Sequence, residues 1–498
     1  MYYFIAIFLV AYLFLAYRRL DWSLMLILFC LPAYQVRFSF LGLPMTLLEV
    51  MILVCFAVWF FTRTKFVDFV KRKYGVREYI AEKKKRIFYP FQLELSLLLI
   101  ISYIATGVAG FSNEALGVWK AYFFEPILVF ILILNVFREE DAEGNSKINF
   151  EKIIYPLLLS GFVVSVFAIF QKVTGLFIVP NFWPRVTGVF AYPNALGLYL
   201  APMVLVAMGV IDNRDFKVTN YKSLQIYKYL FNFVYIILAL FAIIFASSEG
   251  ALVGILAGLF VVGLLWVGGK LGKRIYFCLA KISIVLFLGF SIIAPWFFLQ
   301  VVPEHKYFNF SNPALNFVSD KMMLKDFSGE VRKQQWRETW KMMTASPARF
   351  IFGTGLSGYQ ENVAVYHQEG IFFNHERDAD FRRKIVWEEG DYKAKHWRPV
   401  EIYMYPHNIF LNFWTELGLA GMVLFIWIIG KTMYLSLKIY EQKSVYKGIA
   451  LGLIGAMVAI FVHGLVDVPY FKNDLAVVFW VLLAVLGALG IEKGGRYK

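Results

Sequence analysis

The chain has 498 residues, 59% hydrophobic and 19% aromatic, with a mean hydropathy of +0.61, which excludes an ordinary soluble domain and marks a polytopic helical membrane protein. Its formal charge of +15 would suit a nucleic-acid binder, but the basic residues gather in short loops between apolar runs and no nucleic-acid motif accompanies them. Cys30, Cys55 and Cys278 all lie within apolar segments and offer neither a disulfide framework nor metal-ligand spacing.

Apolar runs near 2–17, 22–33, 45–62, 91–109, 118–137, 153–171 and 194–211 read as spans, followed by 229–246, 249–267, 276–298, 407–430, 447–466 and 474–491. The first lacks a preceding basic region and a cleavage site, so it reads as a retained span. The run 22–33 is the shortest, which leaves twelve or thirteen helices in an all-α integral membrane bundle. The chain is expected to divide into an N-terminal bundle (1–299), one long extracytoplasmic loop or cap (300–406) and C-terminal helices (407–498) beginning at His407.

Basic clusters orient the bundle. The segment 63–86, with Lys83, Lys84, Lys85 and Arg86 in a row, is expected to be cytoplasmic. Alternation puts Arg18 and Arg19, 270–274, 431–447 and the 493–498 tail on the same side. The turns 110–117, 172–193, 247–250 and 466–473, and the long segment 300–406, then face outward. Within that segment, 331–344 reads as an amphipathic helix carrying Trp336, Trp340 and Met343, whereas 367–399 fits no simple pattern.

At the outer ends of spans stand Glu125, Lys172, Arg185, Glu249, His407 and Asp467, together a candidate polar pocket open to the outside. Each by itself is equally an interfacial anchor. Arg185 precedes Pro193 and Asn194, where Asn194 is placed to cap a helix, and an arginine beside a helix N-terminus suits a phosphate. His407 also begins a helix, whose dipole disfavours imidazolium and leaves a neutral ring available as a base. His407, Leu411, Trp414, Gly418 and Gly421 would share one helical stripe, with Glu416 facing away. Such a stripe offers room for a lipid tail below a polar head, or merely close helix packing. A base near a phosphate-binding arginine suits metal-free transfer from a lipid diphosphate. No metal motif and no cofactor motif is present, and a metal site would require Glu125, Glu249 and Asp467 to meet in space.

The order His407, Asn408, nine residues, Gly418, two residues, Gly421 resembles the signature of the O-antigen ligase and polymerase superfamily, whose members carry a long extracytoplasmic loop before that histidine. Arg337 to Trp340 and the stretch Phe352 to Gly358 (FGTGLSG) are similar to the family's tryptophan- and glycine-rich loop. Arg185 to Gly188 with Pro193 and Asn194, and Asp467 to Pro469, resemble its arginine loop and penultimate outer turn. The resemblance implies a membrane glycosyltransferase acting on a polyprenyl diphosphate-linked glycan and a glycan or lipid acceptor at the outer face of the cytoplasmic membrane. His407 would activate the acceptor hydroxyl, and Arg185 would hold the diphosphate. One departure stands out: the turn reads Ser248, Glu249, Gly250 where relatives often have Ser-Arg-Gly, so Lys172, Arg332 or Arg337 would have to supply the second cation, or Glu249 marks a different donor or acceptor. Alternatives are a polymerase, then a protein oligosaccharyltransferase, then a transporter or flippase; against the last stand the lack of an obvious inverted repeat and the small number of charges at mid-membrane depth.

Overall fold

A computed structural model describes residues 2–40, 43–63, 90–140, 146–211, 222–271, 320–321, 323–387, 390–441 and 446–491. The expected run 276–298, and the basic segments 64–86, 272–274 and 493–498, lie outside them.

The architecture is all-α. Each expected run within the described residues is helical: α1 (Tyr2–Arg18), α2 (Leu20–Phe29), α3 (Leu47–Arg63), α4 (Gln92–Val108), α5 (Asn113–Val136), α6 (Glu151–Thr174), α7 (Pro193–Ile211), α8 (Lys222–Phe245) and α9 (Glu249–Leu271). The amphipathic helix before the histidine is α10 (Phe327–Thr344), and the chain continues with α11 (Ile409–Glu441), α12 (Lys447–Gly464) and α13 (Asn473–Ile491). Among the described residues, seven helices are long and apolar enough to cross a membrane, and five more are shorter apolar helices. The weak run is α2, whose 10 residues rise about 15 Å, half the hydrocarbon thickness, before a 3-10 turn and a small hairpin pairing Arg37–Phe40 with Leu43–Thr46.

The C-terminal helices do not stand apart from the N-terminal ones. α12 packs along both α7 and α9, because its glycines bring backbones together: a Cβ at Gly452 would lie 2.9 Å from the Leu205 carbonyl oxygen. In water-free surroundings this close packing substitutes for a hydrophobic driving force.

α11 is not one continuous helix. Gly418 has φ +72° and ψ −176°, so the helix breaks there. The carbonyl of Thr415 that the break frees accepts the backbone N–H of Thr354 at 2.7 Å, and Trp414 Nε1 donates to the Phe350 carbonyl at 2.8 Å. Glu416, also buried, accepts the Ser357 N–H at 2.6 Å. The glycine-rich stretch after the short helix Pro347–Phe352 therefore satisfies the broken backbone, as irregular structure inside a membrane protein requires. On its far side this stretch touches α4, where Leu356 N–H meets the Ala105 carbonyl at 3.3 Å.

That break corrects two expectations. The stripe from His407 to Gly421 is interrupted at Gly418, so its members do not share one face. Nor do the two glycines leave room for a lipid tail: the backbone of Ile351 and Phe352 fills the space beside Gly418, and Leu417 fills that beside Gly421. The plainer reading of close packing holds. In the cap, α10 buries Trp336 and Met343 but leaves Trp340 half exposed. The unassigned stretch contains two short helices and the strand pair Gly370–Phe372 with Trp397–Pro399.

Candidate functional site

His407 lies just outside α11, two residues before its first turn, with φ +46°. Asn408 is the cap: its Oδ1 accepts the N–H groups of Phe410 and Leu411 at 3.0 and 3.1 Å, and its Nδ2 donates to the Leu465 carbonyl at 3.0 Å. Asn408 thus spends its amide on structure, fixing the start of α11 against the turn that carries Asp467. Tyr403 and Tyr405 set their rings edge-on to the imidazole, 5.2 and 4.9 Å away.

The imidazole Nδ1 faces Asp467 Oδ1 at 3.7 Å, an ion-pair distance too long for a direct hydrogen bond. Nε2 has no protein partner among the described residues. Asp467 is 1% exposed; its Oδ1 also accepts the Val468 N–H at 2.9 Å, and Oδ2 accepts Asn194 Nδ2 at 3.2 Å. Burial alone would raise its pKa, but His407, then His463 and Arg332, outweigh it and hold the carboxyl well below its usual range.

Asn194 completes the link. Its Oδ1 accepts Arg185 Nη2 at 3.0 Å, so one amide bridges the arginine loop and the Asp467 turn. Asn194 therefore does not cap α7, as its sequence position suggested; it lies inside the first turn, after Pro193. Arg185 also donates from Nε to the Ala246 carbonyl at 2.9 Å and from Nη2 to the Ser247 carbonyl at 3.4 Å, leaving Nη1 without a protein partner among the described residues. Arg185 and His407 are thus joined through two side chains, Asn194 and Asp467.

Arg332 is brought beside the Asp467 turn. Its Nε donates to the Val466 carbonyl at 2.8 Å, beside Asp467, and its charge is felt by Arg185, His463, Asp467 and Tyr405. Arg337 is five residues on, about 140° around α10. Lys172 is exposed and donates to the Pro184 carbonyl at 3.3 Å, bracing the arginine loop from outside. Glu249, at the turn where relatives often carry arginine, pairs with Lys321 at 2.9 Å.

Glu125 does not join this group. It is buried in α5 just after a π-helical turn, Lys120–Phe124, and its charged neighbours are Glu49 and Lys120, which pair with each other. Glu125, Glu249 and Asp467 therefore lie in three separate settings.

Residues 234–426 match the family model described as O-antigen ligase. This supports the O-antigen ligase superfamily and with it an O-antigen ligase- or polymerase-type membrane enzyme that takes a lipid-linked glycan. The matched stretch contains Glu249, Arg332, His407, Gly418 and Gly421 but not Arg185, Asn194 or Asp467, which the fold alone brings to His407. No curated protein matches the chain. Sequence reasoning weighed Arg332 without choosing it, and missed His463, Tyr403 and Tyr405. The signal for His463 was present: an ionisable ring at the end of a span, four residues before Asp467.

Proposed function

We propose that this O-antigen ligase-type chain is a metal-independent, inverting glycosyltransferase that moves a glycan from a polyprenyl diphosphate carrier to an acceptor hydroxyl. What carries the reading is the orientation of His407, with Nδ1 towards the Asp467 carboxylate and Nε2 unbonded among the described residues. A carboxylate behind Nδ1 favours the tautomer that keeps its proton there, so Nε2 presents a lone pair. That lone pair takes the acceptor's hydroxyl proton as its oxygen attacks the anomeric carbon; the bond from that carbon to the diphosphate oxygen breaks, and its electron pair leaves with the lipid diphosphate. Arg185 Nη1 and Arg332 Nη2, neither with a protein partner among the described residues, are the donors that meet the developing charge. Asp467 stabilises the imidazolium that forms.

The membrane is the cytoplasmic one, with the site on the outer side and the C-terminus inside, by the charge of the short loops. The intact spacing from His407 to Gly421 favours a ligase, which transfers preformed chains in one step; a product ladder of many repeat lengths would make it a polymerase. His407→Ala should abolish transfer while the protein still inserts and folds. Full activity in that variant would remove the proposal.

A further inference from the structure

His463 is a buried ionisable group beside Asp467 to which the mechanism above gives no task. It sits in the last turn of α12, 3% exposed, between the two halves of the site. On one side its ring presses on the turn that receives Arg185: a Cβ at Gly250 would stand 2.5 Å from Cδ2 and 2.8 Å from Nε2. On the other, the adjacent Gly464 packs against Ile409, the first residue of α11. Its electrostatic partners are Asp467 and Arg332.

A histidine buried only for packing satisfies its ring N–H with a carbonyl or carboxylate. Here neither ring nitrogen has a protein partner among the described residues, and neither is among the fully enclosed unpaired atoms, so the polar edge of the ring retains an opening. The ring lies against Gly250, next in sequence to Glu249, and within electrostatic reach of Arg332 and Asp467.

We propose that His463 donates a ring N–H to the diphosphate of the lipid-linked donor, a third contact beside Arg185 and Arg332. This rests on the transferase reading given above. A neutral ring supplies one donor and no charge, which suits a position beside the Arg332 guanidinium. It also accounts for glycine at position 250, since any side chain there would displace the ring.

The test is binding of undecaprenyl diphosphate to the full-length protein in lipid nanodiscs, with undecaprenol as the uncharged control. The parent should prefer the diphosphate. His463→Leu should weaken diphosphate binding about tenfold and leave undecaprenol binding unchanged, as loss of one hydrogen bond to a charged group predicts. His463→Gln, which keeps an N–H, should retain most of the preference. Unchanged diphosphate binding in His463→Leu would overturn the inference while leaving the transferase reading intact. So would equal loss in the Leu and Gln variants for both lipids, since that describes packing alone. If His463→Leu does not fold, the Gln variant decides by keeping or losing the preference. A parent that fails to prefer diphosphate over alcohol overturns the transferase reading itself, and this inference with it.

Discussion

Asn194 donates to Asp467 at 3.2 Å across 273 residues of sequence, and through it the arginine loop and the histidine turn hold one geometry. The amide suits both neighbours because it accepts from Arg185 with its oxygen and donates to Asp467 with its nitrogen. Asn194→Ala should therefore lower transfer about tenfold or more by leaving both partners short of a bond. Asn194→Asp should be worse than alanine, because a second carboxylate would face Asp467 at hydrogen-bond distance. Turnover of a lipid-linked glycan donor by the two variants checks this, and an aspartate variant more active than the alanine one would refute the bridging role.

Asp467 also predicts how stability depends on pH. Its carboxyl is held below its unfolded value, so the ionised group stabilises the fold. That contribution is fully present above the unfolded pKa of about 3.9 and is lost as pH falls below it through the folded value. The difference in thermal unfolding midpoint between the parent and Asp467→Asn, measured in detergent, should be constant from pH 7 to about 5 and shrink steadily below about 4. A difference that does not change with pH would mean that the charge on Asp467 is not what the variant removes.

The spans were legible because a helix in lipid needs a long apolar run, and that requirement is written into consecutive residues. The site was legible only in part. His407, Arg185 and Asp467 stand out in sequence as ionisable residues at the ends of apolar runs, but the roles proposed for Asn194, Arg332 and His463 depend on which helices lie side by side, and no local pattern encodes that. The break at Gly418 was hidden for a different reason. Nothing in LGLAG distinguishes a helical glycine from one at φ +72° until the Thr354 amide that satisfies the break is placed against it.

Gly418 yields a sharp prediction of its own. Its positive φ disfavours any side chain, and a Cβ would run into the backbone of Ile351 and Phe352. Gly418→Ala should destabilise the protein by roughly 1–3 kcal/mol and loosen the cap from α11. In Gly421→Ala the new Cβ would run into Leu417 Cβ, which is fixed to the backbone just before the break, so that variant should be destabilised as well. Unfolding midpoints and protease accessibility of the 353–358 loop report both effects. If instead the glycines made room for a lipid tail, both variants would remain stable and lose donor binding.

The two arginines of α10 should separate cleanly. Arg332 is fixed to the Val466 carbonyl next to Asp467, with its Nη2 unpaired among the described residues, whereas Arg337 points about 140° away around the same helix. Arg332→Ala should raise the KM for the lipid diphosphate donor by about tenfold or more, the scale of a lost charge-assisted hydrogen bond, with a further fall in kcat if the leaving group is held mainly in the transition state. Arg332→Lys should recover charge but not the two-sided grip on Val466 and substrate, and so should fall between parent and alanine. Arg337→Ala should stay within about threefold of the parent, since no new charge is exposed at the site. The reverse order, with Arg337 critical and Arg332 dispensable, would move the diphosphate to the other face of α10 and away from His407.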